Sequence, residues 1–136
     1  MELKQLTDKM WVSPQIQPED IATLKQFGIE WVINNRPDGE EPGQPTHADI
    51  KAAAEAAGLN YRHVPVVRGP SHAEVEEMRE ALADAGDAKV FAFCRSGTRS
   101  TLTWAVAQAE GGADEDYLHR CAAGAGYDLT PVAHLL

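Results

Sequence analysis

Short apolar runs alternating with helix-forming segments are the feature that most restricts this chain. Met10 to Ile16, Ile29 to Asn34, Tyr61 to Val67 and Lys89 to Phe93 have the length and side chains of strands. Helical start and stop signals lie between them. Pro18 stands where a first helical residue would, Glu19 and Asp20 follow in the first turn, and Gly28 closes a face made of Ile21, Leu24 and Phe27. Thr46 caps a helix through Lys51 to Ala57 that ends at Gly58. Ser71 with Glu74 is a capping box ahead of Val75, Met78 and Leu82, and Gly86 stops that helix. Ser100 to Ala109 carries the stripe Leu102, Val106 and Ala109, Gly111 and Gly112 break the chain, and a last helix covers Asp114 to Ala123. Strands that alternate with helices in this order predict an α/β fold, a mainly parallel central sheet with helices on both faces. Pro14 places the first strand at an edge.

A length of 136 residues fits one domain over 1–136. The formal charge of -9, from 12 basic and 21 acidic residues, argues against nucleic acid and anionic membranes as partners. It leaves room for a locally positive site. No apolar run approaches the ~20 residues that cross a bilayer, and Met1-Glu2-Leu3-Lys4-Gln5 is no signal peptide, so a cytoplasmic location is expected. Cys94 and Cys121 then read as free thiols. The histidines lack metal-ligand spacing, and neither a metal nor an organic cofactor is expected.

In open α/β sheets ligands bind beyond the carboxyl ends of the strands. Arg36, Arg68 and Cys94 follow the second, third and fourth predicted strands, which brings them to one edge. The run Val90-Phe91-Ala92-Phe93-Cys94-Arg95-Ser96-Gly97-Thr98-Arg99-Ser100 delivers a cysteine from a buried strand into a tight turn. Gly97 permits backbone angles that a side chain would forbid. Successive N–H groups of Arg95, Ser96, Gly97 and Thr98 can form an anion nest, and the helix from Ser100 adds its positive end. Arg99 can fork onto two oxygens of an oxyanion. Each feature favours thiolate over thiol, so Cys94 is the expected nucleophile. Arg36 and Arg68 serve either a substrate anion or structural ion pairs.

Cys-Arg-Ser-Gly-Thr-Arg-Ser resembles the active loop of single-domain rhodaneses and is similar to the phosphate loop of cysteine-dependent phosphatases. The stretches Val12 to Asp20, Val32 to Glu40, Tyr61 to Val66 and Ala125 to Leu129 resemble the beta-lactamase-hydrolase-like, phosphatase-like domain family. That resemblance covers nearly the whole chain. It implies a fold similar to dual-specificity phosphatases, and a family associated with both phosphatase-like chemistry and sulfur transfer.

The phosphatase pattern has five residues between cysteine and arginine, whereas this loop has four: Arg95, Ser96, Gly97 and Thr98. A smaller cradle suits a sulfane sulfur. Phosphatases usually place a histidine before the cysteine, where Phe93 stands here, and an Asp in the loop after the preceding strand, which Arg68-Gly69-Pro70-Ser71-His72 lacks. Asp38 from the neighbouring loop, or His72, is the candidate leaving-group acid, with Asp38 otherwise a turn residue. The favoured reading is therefore a sulfurtransferase that carries a persulfide on Cys94, with thiosulfate or a low-molecular-weight persulfide as anionic donor and a thiol, cyanide or sulfite as acceptor. The alternatives are a phosphomonoester hydrolase acting on a phosphorylated substrate through a phosphocysteine, and a non-catalytic oxyanion or persulfide sensor.

Overall fold

The structure is a computed structural model that describes residues 1–136. Five strands form one sheet in the order β1-β2-β5-β3-β4, with β1 Lys4–Thr7, β2 Met10–Ser13, β3 Trp31–Asn34, β4 Asn60–His63 and β5 Val90–Phe93. The strands β2, β5, β3 and β4 run parallel, while β1 pairs antiparallel with β2. The mainly parallel α/β architecture expected from the alternation is present. The edge assignment of the first expected strand is corrected: β1 covers it, and all four residues of β2 are buried. Pro14 lies just beyond β2, where no ladder hydrogen bond is asked of it.

A short 3-10 turn at Pro18–Asp20 leads into α1 Ile21–Phe27, which Gly28 closes at φ 98°. The helices α2 His47–Ala56, α3 His72–Ala85, α4 Thr98–Glu110 and α5 Glu115–Ala125 follow, with a last 3-10 segment at Thr130–Leu135. Thr46 caps α2 through the Asp49 amide, and Ser71 with Glu74 makes the reciprocal box on α3.

The sheet separates two cores. One holds Met10, Val12, Ile33, Val64, Val90 and Ala92 against α3, α4 and α5. The other holds Trp11, Val32, Phe91 and Phe93 against α1 and α2, through Ile21, Leu24, Ile50 and Ala54. Alternation along β5 sends Val90 and Ala92 to one face and Phe91 and Phe93 to the other, as a strand of period two must when both faces are covered. Trp11 and Trp104 are core residues, whereas Trp31 is half-buried with Arg62 over its ring at 5.2 Å.

Helix α4 differs from the amphipathic helix expected. It starts at Thr98, two residues before Ser100, and every residue from Ser100 to Ala107 is buried. Thr101 and Thr103 sit in that apolar environment because their hydroxyls donate to the carbonyls of Gly97 and Arg99, four residues back, at 2.8 and 2.7 Å. A helix buried on all sides fixes its first turn rigidly, and that turn belongs to the Cys94 loop.

Candidate active site

The chain order makes β5 the central strand, between β2 and β3, so the loop after it opens where the crossover connections diverge. Cys94 is the first residue past β5 and is fully buried. Its Sγ accepts the Gly97 N–H at 3.1 Å. Three carbonyls of the loop are tied from outside: that of Arg95 by the Gln15 amide at 3.2 Å, that of Ser96 by the Tyr127 hydroxyl at 2.9 Å, and that of Gly97 by the Thr101 amide at 3.0 Å and hydroxyl at 2.8 Å. Carbonyls drawn outward turn the amides the other way, which is the arrangement of an anion nest. The N–H groups of Arg95 and Ser96 hold no protein acceptor. The Ser96 hydroxyl donates to Thr98 Oγ1 at 3.0 Å and closes the loop's outer side.

Gly97 adopts φ 90°, and a Cβ there would lie 2.0 Å from the Tyr127 hydroxyl oxygen. Glycine is thus required twice, by the left-handed backbone and by Tyr127 packed across it. Burial, reinforced by the nearby Cys94, pushes the Tyr127 phenol up to about 12, so it stays a hydrogen-bond donor throughout the neutral range.

Arg99 is held in a fixed attitude. Its Nη1 donates to Glu40 Oε2 and to the Val66 carbonyl, both at 2.7 Å, and its Nη2 donates to Glu40 Oε1 at 2.7 Å. Three of the five guanidinium N–H groups are thereby used, and one Nη2–H and the Nε–H on the adjoining edge remain for an oxyanion. Glu40 and, after it, Cys94 raise the Arg99 pKa further above its ordinary value. The Arg99 guanidinium, assisted by Arg36, holds the Glu40 carboxyl down at about 2 against the opposing effect of burial.

Arg36 lies beneath this pair with its side chain 1% exposed. Its Nε donates to Glu40 at 2.9 Å, Nη1 to Gln15 at 3.0 Å and Nη2 to Glu41 at 3.0 Å. Each guanidinium nitrogen thus serves a protein acceptor, and the geometry is that of a residue positioning Glu40. Asp38 is exposed, and its Oδ1 accepts the His47 amide at 2.8 Å at the start of α2. His72 opens α3 and lines a cavity of about 240 Å³ with Pro70, Val75, Val106, Glu110 and Leu135, none of them in the Cys94 loop. Arg68 and Arg95 are exposed, and Ser100 is buried with an Oγ that has no partner. Cys121 is half-buried on α5, and both cysteines are free thiols.

Sequence reasoning did not assign roles to Glu40, Gln15, Val66 or Tyr127. The spacing of Arg36 and Glu40, four residues apart, carries a weak signal for an ion pair. Tyr127, thirty positions beyond Gly97, and Val66 lie in stretches that carry the family resemblance, but nothing local assigns them a role, because only tertiary packing brings them to Gly97 and Arg99.

A thiol at the head of the central strand, bracketed by a glycine turn and a braced arginine, defines a phosphatase-like protein on a dual-specificity-phosphatase fold. The chain belongs to the beta-lactamase hydrolase-like protein, phosphatase-like domain family, whose pattern residues 2–111 match. A beta-lactamase hydrolase-like protein of Agrobacterium fabrum is 35% identical over 111 residues, which are 80% of this chain and 25% of that protein, so the chain spans about a quarter of its relative's length. A candidate phosphatase of Neisseria meningitidis superposes with a TM-score of 0.81 at 35% identity, over 98% of this chain and 95% of that one. A kinase-associated phosphatase whose catalytic-site residue is a cysteine shares the architecture, with a TM-score of 0.74 at 17% identity over 97% of this chain and 88% of that one. The family match and the likeness to the Neisseria protein support the phosphatase alternative better than the sulfurtransferase reading of the short loop, while the kinase-associated phosphatase shows the fold. No helix is long and apolar enough to cross a membrane.

Proposed function

We propose that the chain is a cysteine-dependent phosphatase working through a phosphocysteine. The observation that carries the reading is the pairing of Cys94, bound by the Gly97 amide, with an Arg99 whose free edge is fixed by Glu40 and the Val66 carbonyl. The Cys94 thiolate attacks phosphorus, an S–P bond forms, and the P–O bond to the leaving group breaks with its electron pair on oxygen. Amides of the loop and the Arg99 edge meet the charge on the equatorial oxygens. Water then attacks the phosphorus, the S–P bond breaks, and the thiolate returns. The test is p-nitrophenyl phosphate hydrolysis by the intact chain and by Cys94→Ser, with intact mass of the acid-quenched enzyme. A phosphoryl adduct and turnover that both vanish in Cys94→Ser are expected. Turnover that survives the substitution overturns the reading.

One observation favours a second reading, sulfur transfer. Four residues separate Cys94 from Arg99, one fewer than the phosphatase pattern, which narrows the ring of amides. In that reaction the thiolate attacks the outer sulfur of thiosulfate, the S–S bond breaks, and sulfite leaves. Cyanide then takes the sulfur as thiocyanate and restores the thiolate. Gain of one sulfur on Cys94 with thiocyanate release, in the absence of phosphate release from any ester, would select this chemistry.

A further inference from the structure

The side chains around the loop bear on what can leave. Expelling a basic alkoxide needs a positioned acid, and such an acid contributes roughly 10²–10⁴-fold. Glu40, the carboxylate bonded to Arg99, is ionised throughout the neutral range, with its carboxyl at about 2. Glu41 is paired with Arg36, and Asp38 is engaged by the His47 amide. The loop after β4 reaches the site, since its Val66 carbonyl holds Arg99. That loop brings no carboxylate: it continues as Val67, 69% exposed, and Arg68, exposed and without any ion pair or side-chain hydrogen bond. Two residues past the carbonyl that holds Arg99, the loop carries a guanidinium and no acid. A guanidinium cannot donate a proton at neutral pH, but it can meet negative charge as it builds.

We infer that the site acts on substrates whose leaving group departs as a weakly basic anion, such as phosphoanhydrides and acyl phosphates, and that Arg68 meets the charge that develops on that group. The inference rests on the phosphoryl-transfer reading above. The step is balanced without an acid: the P–O bond breaks, its electron pair stays on the leaving phosphate or carboxylate oxygen, and no proton need accompany it. Val67 and Arg68 together present an apolar and a cationic contact to the departing half of the substrate.

The experiment measures the Cys94-dependent first step in single turnovers of p-nitrophenyl phosphate, phenyl phosphate, acetyl phosphate and inorganic pyrophosphate. Phenyl phosphate is expected to be slower than p-nitrophenyl phosphate by roughly 10²-fold or more, the part an acid would otherwise supply. Acetyl phosphate and pyrophosphate are expected to react, and Arg68→Gln to slow these two at least about tenfold more than p-nitrophenyl phosphate, one lost charge contact on the leaving group. Phenyl and p-nitrophenyl rates within about tenfold of each other, with activity falling as an acid deprotonates at alkaline pH, would overturn the inference and leave the phosphatase reading standing. Equal slowing of all substrates by Arg68→Gln would remove Arg68 from the leaving-group role. No Cys94-dependent release from any of the four would overturn both.

Discussion

Glu40 grips Arg99 through both carboxylate oxygens, each bond 2.7 Å long, and is itself held from below by the buried Arg36. An arginine left to its own rotamers would have to be ordered by each incoming anion. Here that ordering is built into the fold, and the free edge of the guanidinium is set before substrate arrives. The arrangement places a carboxylate near an anion site, and its negative charge is offset by the two arginines that share it.

Replacing Glu40 tests this directly. Glu40→Gln should destabilise the chain by about 1–2 kcal/mol at neutral pH, the range for a partly exposed charged hydrogen-bond pair. The folded carboxyl titrates at about 2, below its ordinary 4.5, so its stabilisation is complete above 4.5 and is lost as pH falls through about 2. Urea unfolding of the two proteins should therefore differ most above about pH 5 and converge toward pH 2. A gap that stays constant over that range would mean Glu40 acts by packing and not by charge. Turnover should fall roughly 10- to 100-fold as Arg99 loses its fixed attitude.

Arg36 should be far less tolerant. Its side chain is buried and each nitrogen serves a protein acceptor. Arg36→Ala leaves Glu41 and Gln15 without their partner and Glu40 with Arg99 alone, and it empties the buried volume of the side chain, so it should cost roughly 3 kcal/mol from charge-assisted bonds lost and the void left behind. Arg36→Lys should recover little, because an ammonium cannot reproduce a planar fork aimed at three acceptors. Thermal unfolding of both variants checks this, and near-wild-type stability of Arg36→Lys would show that charge alone matters there.

How much of this was legible in the sequence follows from the range of the interactions. The helix starts at Thr46 and Ser71 and the stop at Gly28 are local, and the chain states them within a few residues. The Cys94 loop is equally local, because a strand, a left-handed glycine and a helix N-terminus are contiguous. The strand β1 escaped notice because Lys4-Gln5-Leu6-Thr7 shows only one buried residue, Leu6, which is too little pattern for period two. The depth of α4 escaped for the opposite reason: Thr101 and Thr103 lie off the stripe Leu102, Val106 and Ala109, and their burial depends on hydroxyls bonded to the preceding turn. Glu40 and Tyr127 act across the fold, so their meeting with Arg99 and Ser96 follows from topology and from no short motif.

Gly97 and Tyr127 form the second pair that substitution can resolve. Gly97→Ala forces a side chain onto φ 90° and sets its Cβ 2.0 Å from the Tyr127 oxygen and 2.8 Å from Cζ. The backbone alone should cost about 1–3 kcal/mol. Tyr127→Phe removes the hydroxyl and its bond to Ser96 at about 1 kcal/mol. In a double-mutant cycle the combined loss should be smaller than the sum by about 0.5 kcal/mol or more, because removing the hydroxyl relieves the 2.0 Å collision and leaves only the softer 2.8 Å approach to Cζ. Strict additivity would mean the loop has moved away from Tyr127.

Alkaline pH gives an independent view of the same residue. The Tyr127 phenol is raised from 10.0 to about 12, first by burial and then by Cys94. Stability that depends on the protonated phenol is present below 10 and is lost as pH rises through about 12. Tyr127→Phe should flatten that alkaline decline in urea-unfolding midpoints measured upward from about pH 9. An unchanged slope would assign the decline to the other tyrosines, since Tyr61 is also raised to about 12 by burial.

Ser100 separates stability from chemistry. It lies in the first turn of α4, one residue past Arg99, fully buried, with an Oγ that has no hydrogen-bond partner in the protein. A buried hydroxyl left in that state is a cost to the fold, so Ser100→Ala should leave the urea midpoint unchanged or raise it by up to about 1 kcal/mol of stability. Proteins retain such local violations mainly at functional sites. Turnover of p-nitrophenyl phosphate should therefore fall, by roughly 10- to 100-fold if the hydroxyl stabilises charge on sulfur or substrate, with Ser100→Thr restoring part of it. A variant that is as active as the parent and no more stable would reduce Ser100 to packing.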